Sequence, residues 1–563
     1  MDQMISRRGL LGTAAVAGAG FLLLGSERPA RADDVLPGFP SGIGIRRDRF
    51  RNWDGVIVTE SLWTCEPRRQ DDVVAVVNWA REHGFTVRAR GYMHSWAPMT
   101  VTPGKAQPTN VILVDTTVNL TAMSSPAAGR VRVEAGARMD TLLAYLGKRG
   151  EGLASAPAPG DVTVGGVVAV SGHGTAVRAA GEKRQRGQSM GTVSNLITAF
   201  TAVVWDPASS TYVARTFTRD HPDAKAFLTS IGRVFLLDVT LQTMADYSIR
   251  ARNTTSISVS ELFAAPSAAG ARSLTKLLDT HGRVGVIWYT FTDCPWVQTW
   301  SVTPQRPLLS RPTTGPYNFP FADNLPEPVT TLIGRVGSGQ SWLAPQMGVA
   351  VLAATTAGLL ATGARDMWGP SRNFIHFVKP TTLRVSAGSH AVITSRSNVQ
   401  RVVHEFATWI TAKLKEYAAR DQYPLNSCVE IRVTGTDTPS EVDVAGAEAP
   451  ALSAAAPVDG HPDWDTVVWL DALTLPGTPH EYAFYAEMEA FVRRTFSGWA
   501  LARPEWAKRW ATSADGSWTD EAVMQKDVPA VFPLWEWTRS TFDRYDPYRL
   551  FTNPLLDALM PPR

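Results

Sequence analysis

The chain has 563 residues, 44% of them hydrophobic and 19% charged, with 55 Lys and Arg against 52 Asp and Glu. This balance excludes a disordered chain and leaves too little excess positive charge for a phosphate-binding surface, so no nucleic-acid partner is expected. Three cysteines, Cys65, Cys294 and Cys428, in no ligand-like spacing, exclude a disulfide scaffold and a structural zinc, and no metal site is expected.

In chain order, Ser6-Arg7-Arg8-Gly9-Leu10-Leu11 places a twin arginine before an uncharged run, and Ala30-Arg31-Ala32 has the pattern of a cleavage site. Residues 1–32 therefore read as a Tat export signal, which predicts an extracellular or cell-envelope protein. The uncharged run is short for a retained membrane anchor. Residues 71–84 space apolar side chains as an amphipathic helix and stop at Gly84, and Phe85 to Arg90 alternates as a strand. Gly91 then opens a loop, Gly91-Tyr92-Met93-His94-Ser95-Trp96, at a strand's C-terminal edge, where open α/β sheets bind ligands.

Strands are predicted at Asn110–Val114 and Val131–Ala135, giving an α+β or α/β unit up to about residue 244. A second glycine-rich stretch runs from Pro157 to Gly174 and includes Gly165, Gly166 and His173. Two backbone-permissive loops in one unit imply an extended ligand lying against both, while the lack of a helix-opening G-x-G-x-x-G argues against a standard dinucleotide site.

From residue 246 the composition becomes more aromatic and a second domain is predicted. The uncharged run Met347–Ala364 has the length of a membrane span, but its Ala, Thr and Gly content favours a buried or groove-lining helix. Residues 446–458 are rich in Ala and Pro and read as a surface loop or linker. In the strand-like Cys428-Val429-Glu430-Ile431-Arg432-Val433, Glu430 and Arg432 stand two apart and share one face. Such a pair is either an exposed ion pair or an acid and cation able to take a hydroxyl proton and stabilise negative charge on oxygen.

Taken together, RGYMHSW, the loop Thr163 to Gly174, Gly191-Thr192-Val193-Ser194-Asn195-Leu196, Ile231-Gly232-Arg233 and the stretch Asp546-Pro547 to Asn553 resemble the vanillyl-alcohol-oxidase flavoprotein fold. Val429-Glu430-Ile431-Arg432, Gly315-Pro316-Tyr317-Asn318, residues 323–328 and Arg503-Pro504-Glu505-Trp506 resemble the cholesterol oxidases that bind FAD covalently. The resemblance implies a two-domain α+β fold of the FAD-binding PCMH type, with a mixed-sheet substrate domain. Residues 33–245 would bind FAD, 246–539 a hydrophobic sterol drawn from membranes or lipid particles, and 540–563 would return to the FAD domain.

The resemblance further implies that His94 is joined to the flavin 8α carbon. Arg90, Gly91, Tyr92, Met93, Ser95, Gly165, Gly166, His173, Gly174, Ser194, Asn195, Gly232 and Asn553 would contribute to the FAD site, and Glu430, Arg432, Glu505 and Asp471 to catalysis. The implied reaction oxidises a 3β-hydroxysterol to the ketone and passes electrons to dioxygen, with 5-ene to 4-ene isomerisation as a possible second step. Two departures stand out: Gly285 occupies the place of a glutamate associated with oxygen access, and Asp471 that of an active-site asparagine. They keep two other readings open, an oxidase or dehydrogenase of another hydrophobic or sugar-like alcohol and a non-catalytic exported lipid-binding protein.

Overall fold

A computed structural model of the chain describes residues 36–102, 110–375 and 382–562. The expected export signal lies outside the described residues. The helix Gln70–His83 forms because Val73, Val76, Val77 and Ala80 recur on one face and are fully buried there. It ends where Gly84 turns left-handed at φ 69° and donates its N–H to the Ala80 carbonyl. The strand Thr86–Arg90 follows and runs parallel to Val111–Asp115 in a four-stranded sheet completed by Val58–Glu66 and Gly44–Arg51. A five-stranded sheet, ordered Met123–Ser124, Arg130–Glu134, Phe235–Gln242, Ile197–Asp206, Thr211–Thr218, packs its Val131, Val133 and Val239 against Val164 and Val168 of the short helix Val164–Ala169.

The second half is organised by a nine-stranded sheet whose fifth to eighth strands are Arg283–Tyr289, Cys428–Gly435, Thr466–Thr474 and Ser386–Thr394. The central strand, Cys428–Gly435, shows why the sheet has two faces. Val429, Ile431 and Val433 point to a core shared with Phe406 and Ile410 of the helix Val399–Ala418 and Phe484 and Met488 of the helix Glu481–Thr495. Period-two alternation then forces Cys428, Glu430 and Arg432 to the opposite face, toward the first half of the chain.

The uncharged run forms the helix Ala344–Ala361, the one helix among the described residues long and apolar enough to cross a membrane. Only 28% of its apolar window is buried, and the buried side, including Met347, packs with Ile287 and Tyr289 of the large sheet. The stretch 446–458 is not a surface loop. Leu452, Ser453, Ala454 and Ala455 are fully buried, with Leu452 in the core of the first half and Ala454 and Ala455 packed on Trp469 and Ile393 of the large sheet. Side chains this small allow a loop to be pressed between two layers while its N–H groups are satisfied, Ala455 N by Ser453 Oγ at 3.1 Å.

The helices Trp535–Tyr545 and Pro554–Leu559 bring the chain back to the first half, where Phe542, Leu555 and Leu556 join the core of Phe200 and Phe227. Asp546 locks this return. Its carboxylate accepts from Tyr212 Oη at 2.6 Å, Leu550 N at 2.9 Å and Phe551 N at 3.0 Å, and pairs with buried Arg233 at 3.3 Å. Removing one partner of such a buried pair strands the other charge, so Asp546→Asn should destabilise the protein by about 3 kcal/mol and Tyr212→Phe by about 1 kcal/mol. Both are read as lowered midpoints in denaturant unfolding followed by tryptophan fluorescence.

Candidate active site

The two glycine-containing loops meet. A Cβ on Gly91 would lie 2.6 Å from Thr163 Oγ1, so the first loop can close on the second only without a side chain there. Thr163 in turn caps the helix Val164–Ala169, accepting from Gly166 N at 3.2 Å. Met93 holds a left-handed φ of 58°, a costly conformation for a residue with a side chain, and turns the chain so that His94 follows into the interior. Gly91, Tyr92, Met93, His94 and Ser95 all line one cavity of about 450 Å³, together with Gly165, Gly166, His173 and Gly232.

The far wall of that cavity comes from the large sheet and its neighbours. Ile287, Tyr289, Phe319, Met347, Val351 and Leu383 make it apolar, and Glu430, Arg432, Glu505 and Lys508 make one end charged. Arg432 binds Glu430 directly and lies 2.9 Å from Asp471, the cross-strand partner of Glu430. The second Asp471 oxygen is 3.1 Å from Lys508 Nζ. Glu505 stands at the start of a turn in which Lys508 N donates to the Glu505 carbonyl, and its carboxylate lies 3.5 Å from His173 Nε2. The result is an alternating row of acids and cations.

Burial would lower the Arg432 guanidinium, but Glu430, Asp471 and Glu505 more than offset this and hold it cationic. Lys508 is likewise raised, burial being overcome by Asp471 and Glu505. Burial would raise the Glu505 carboxyl, yet Lys508 and His173 hold it well below the usual carboxylate range. Glu505 is therefore a weak base. Asp471 is fully buried and committed to two cations, whereas Glu430, bound to Arg432, lies on the cavity wall.

His94 lines the same cavity. Its ring stacks on Trp53 at 3.8 Å between centroids and 19° between planes, and Trp96 meets it edge-on at 5.8 Å. Burial, then Lys508 and Arg384, push its pKa down to about 3, so the imidazole is neutral at physiological pH. His94 Nδ1 and Glu505 Oε2 are both buried without a hydrogen-bond partner, as expected of a site completed by a bound polar group.

Several residues expected in the site stand elsewhere. Arg90 turns from the cavity to Asp48 at 2.6 Å. Ser194 and Asn195 are fully buried behind it, Ser194 Oγ donating to the Val168 carbonyl and Asn195 Nδ2 to Ser189 Oγ. Gly174 packs on the Ala156 backbone, where a Cβ would lie 2.5 Å from the carbonyl oxygen. Asn553 caps the helix Pro554–Leu559 and donates to the Pro98 carbonyl at 2.9 Å. His173 both lines the cavity and stacks on Trp469 at 3.5 Å. Lys508 and Trp53 were not anticipated. The three-residue step from Glu505 to Lys508 carried a signal for the lysine only once a turn was known there, and a tryptophan between the first two strands carried none.

The family model for the cholesterol oxidase substrate-binding domain matches residues 248–561, and a model of an FAD-binding domain matches residues 63–195, the segment holding both loops. A solvent-stable cholesterol oxidase of known structure is 46% identical, with 93% of this chain and 99% of that one aligned at a TM-score of 0.91. A cholesterol oxidase from Brevibacterium sterolicum is 38% identical over 94% of this chain and 99% of that one, also at 0.91. A D-arabinono-1,4-lactone oxidase from Eremothecium gossypii is 31% identical over 144 residues, which span only 25% of this chain and 26% of that protein. With its glycine loops inside an FAD-binding domain and its charged row inside the sterol-oxidase half, the chain belongs to the cholesterol oxidase family of FAD-dependent alcohol oxidases.

Proposed function

We propose that the protein oxidises the 3β-hydroxyl of a cholesterol-like sterol to the ketone, with FAD held covalently through His94 and with dioxygen as the electron acceptor. The observation that carries this reading is the Glu430–Arg432 pair, which stands at the charged end of the same largely apolar cavity that the His94 loop lines. FAD supplies the two-electron acceptor. The chain's residues do the rest. The apolar wall of Ile287, Phe319, Met347 and Leu383 takes the sterol rings and directs the hydroxyl to the charged end. Glu430 accepts the hydroxyl proton, and Arg432, fixed between Glu430 and Asp471, stabilises the charge that develops on oxygen. A carboxylate beside the substrate's first ring is also the group that a 5-ene to 4-ene proton shift requires, and we include that step in the proposal.

The source of the sterol is read from the helix Ala344–Ala361. Met347, Gly348, Val351 and Thr355 line the cavity, while Val349 and Leu360 project outward at 57% and 65% exposure, with Trp342 exposed in the turn just before the helix. A helix apolar on both faces joins the cavity to an outer lipid surface, and the twin-arginine signal in residues 1–32 would deliver the protein to the side of the membrane where such lipid is met. A sugar-like substrate would leave this apolar wall unused.

If His94 carries the flavin, acid-precipitated protein stays yellow and His94→Ala releases its colour to the supernatant. Because His94 is held neutral with its pKa pushed down to about 3, the covalently bound fraction should show no histidine-like inflection between pH 5 and 8. Arg432→Ala should slow sterol-driven flavin bleaching under anaerobic rapid mixing by about a hundredfold, with Arg432→Lys recovering part of it. A change confined to the apparent sterol affinity would assign Arg432 to pocket shape alone. Cholesterol, an aldonolactone and an aryl alcohol assayed side by side separate the sterol reading from its rivals.

A further inference from the structure

The His94 ring is oriented by stacking, and the residue it stacks on is gripped from both sides. Trp53 lies in the turn between the strands Gly44–Arg51 and Val58–Glu66 and is 7% exposed, with the Arg384 guanidinium 5.2 Å from its ring. On one side, Asn52 Oδ1 accepts from Ile57 N at 2.9 Å and Asn52 Nδ2 donates to the Ser95 carbonyl at 3.1 Å, one residue beyond His94. On the other side, Asp54 accepts from Ser386 Oγ at 2.9 Å and pairs at 3.4 Å with Arg509, which also meets Glu481 at 3.0 Å. Ser386, Glu481 and Arg509 all belong to the sterol-oxidase half, and Asp54, Glu481 and Arg509 are each at least nine-tenths buried.

Buried Asp54 gains its cation only when the two halves are packed together, because Arg509 comes from the other half. Resting on the assignment of His94 as the attachment residue, we propose that Trp53 is a positioning residue for flavin attachment, and that the Asp54–Arg509–Glu481 clasp makes attachment conditional on docking of the substrate half. In the attachment itself, a His94 ring nitrogen and the 8α carbon each give up one hydrogen as the C–N bond forms. The two electrons and two protons released pass to dioxygen, which is reduced to hydrogen peroxide. With Nδ1 lacking a hydrogen-bond partner, no such bond is there to fix the angle of the ring; the Trp53 face and the Trp96 edge do so. Reactions of this type fall steeply when the approaching atoms are tilted or displaced by fractions of an ångström.

The test uses full-length variants purified, incubated with excess FAD in air and sampled over time, with the share of flavin that remains on the acid-denatured chain as the readout. In Trp53→Ala the attachment rate should fall about tenfold or more while the affinity for unattached FAD is retained, and Trp53→Phe should restore most of the rate. Asp54→Asn, which leaves the indole in place and loosens its grip, should give an intermediate rate. Wild-type attachment in Trp53→Ala, or slowing that merely tracks a loss of FAD affinity, overturns the proposal. Should Trp53→Ala fail to fold, Trp53→Leu, which keeps apolar bulk without the stacking ring, decides in its place. His94→Ala, run in parallel, separates the two readings: colour retained on that chain removes His94 as the attachment residue, whatever the Trp53 variants do.

Discussion

Four charged side chains in the wall of an apolar cavity, with a fifth buried behind them, can be kept there only if each is paired, and this requirement organises the rest of the molecule. An isolated carboxylate or ammonium taken out of water costs several kcal/mol even after relaxation. The row Glu430, Arg432, Asp471, Lys508, Glu505 meets the cost by alternation, each cation standing between acids. Alternation demands accurate spacing. Two residues of strand pitch separate Glu430 from Arg432, one cross-strand step brings Asp471 opposite Glu430, and a turn brings Lys508 back over Glu505. Three acids against two cations leave each cation with an acid on either side.

The same demand explains how the halves of the chain are joined. Asp437, from the end of the central strand, accepts from Thr192 N at 2.6 Å and from Thr192 Oγ1 at 2.9 Å across the seam, and Gly191 has no room there for a Cβ, which would stand 2.2 Å from Asp437 Oδ1. The loop around Leu452 is pressed into the same seam. Ser194 and Asn195 therefore serve the cofactor loops indirectly. They sit in the layer behind the cavity, where Ser194 ties the helix Val164–Ala169 and Asn195 bonds Ser189 and the Thr438 carbonyl.

Where local periodicity decides the structure, the sequence was legible. The helix before Gly84, the strand after it and the shared face of Glu430 and Arg432 follow from repeats of 3.6 and 2, and the family resemblance added the cofactor and the chemistry. Where contacts far apart in sequence decide it, the reading failed or was silent. The Ala-rich stretch 446–458 looked like a linker because low complexity resembles disorder, whereas small side chains are also what a tightly packed seam needs. Arg90 read as part of the cofactor loop, but Asp48, on the opposite edge strand of the same four-stranded sheet, pairs with it. Trp53 lies 41 residues before His94, and nothing in its neighbourhood marks it as the ring against which His94 rests.

The two departures noted at Gly285 and Asp471 fall on the two strands that flank Glu430 and Arg432. Gly285 is the cross-strand partner of Arg432 on one side, and Asp471 is that of Glu430 on the other. A side chain at Gly285 would begin 3.1 Å from Gln298 Oε1 and 3.2 Å from the Trp300 ring, so that space is already filled. With no acid available from that strand, Arg432 finds its second carboxylate at Asp471, 2.9 Å away. Both acids of this guanidinium thus come from its own strand and from the strand of Asp471. The guanidinium has two acids, and the space beside Gly285 is filled by the uncharged Gln298 and Trp300. The buried cation thus has an acid on its own strand and another on the neighbouring one, without which it could not remain in the apolar wall.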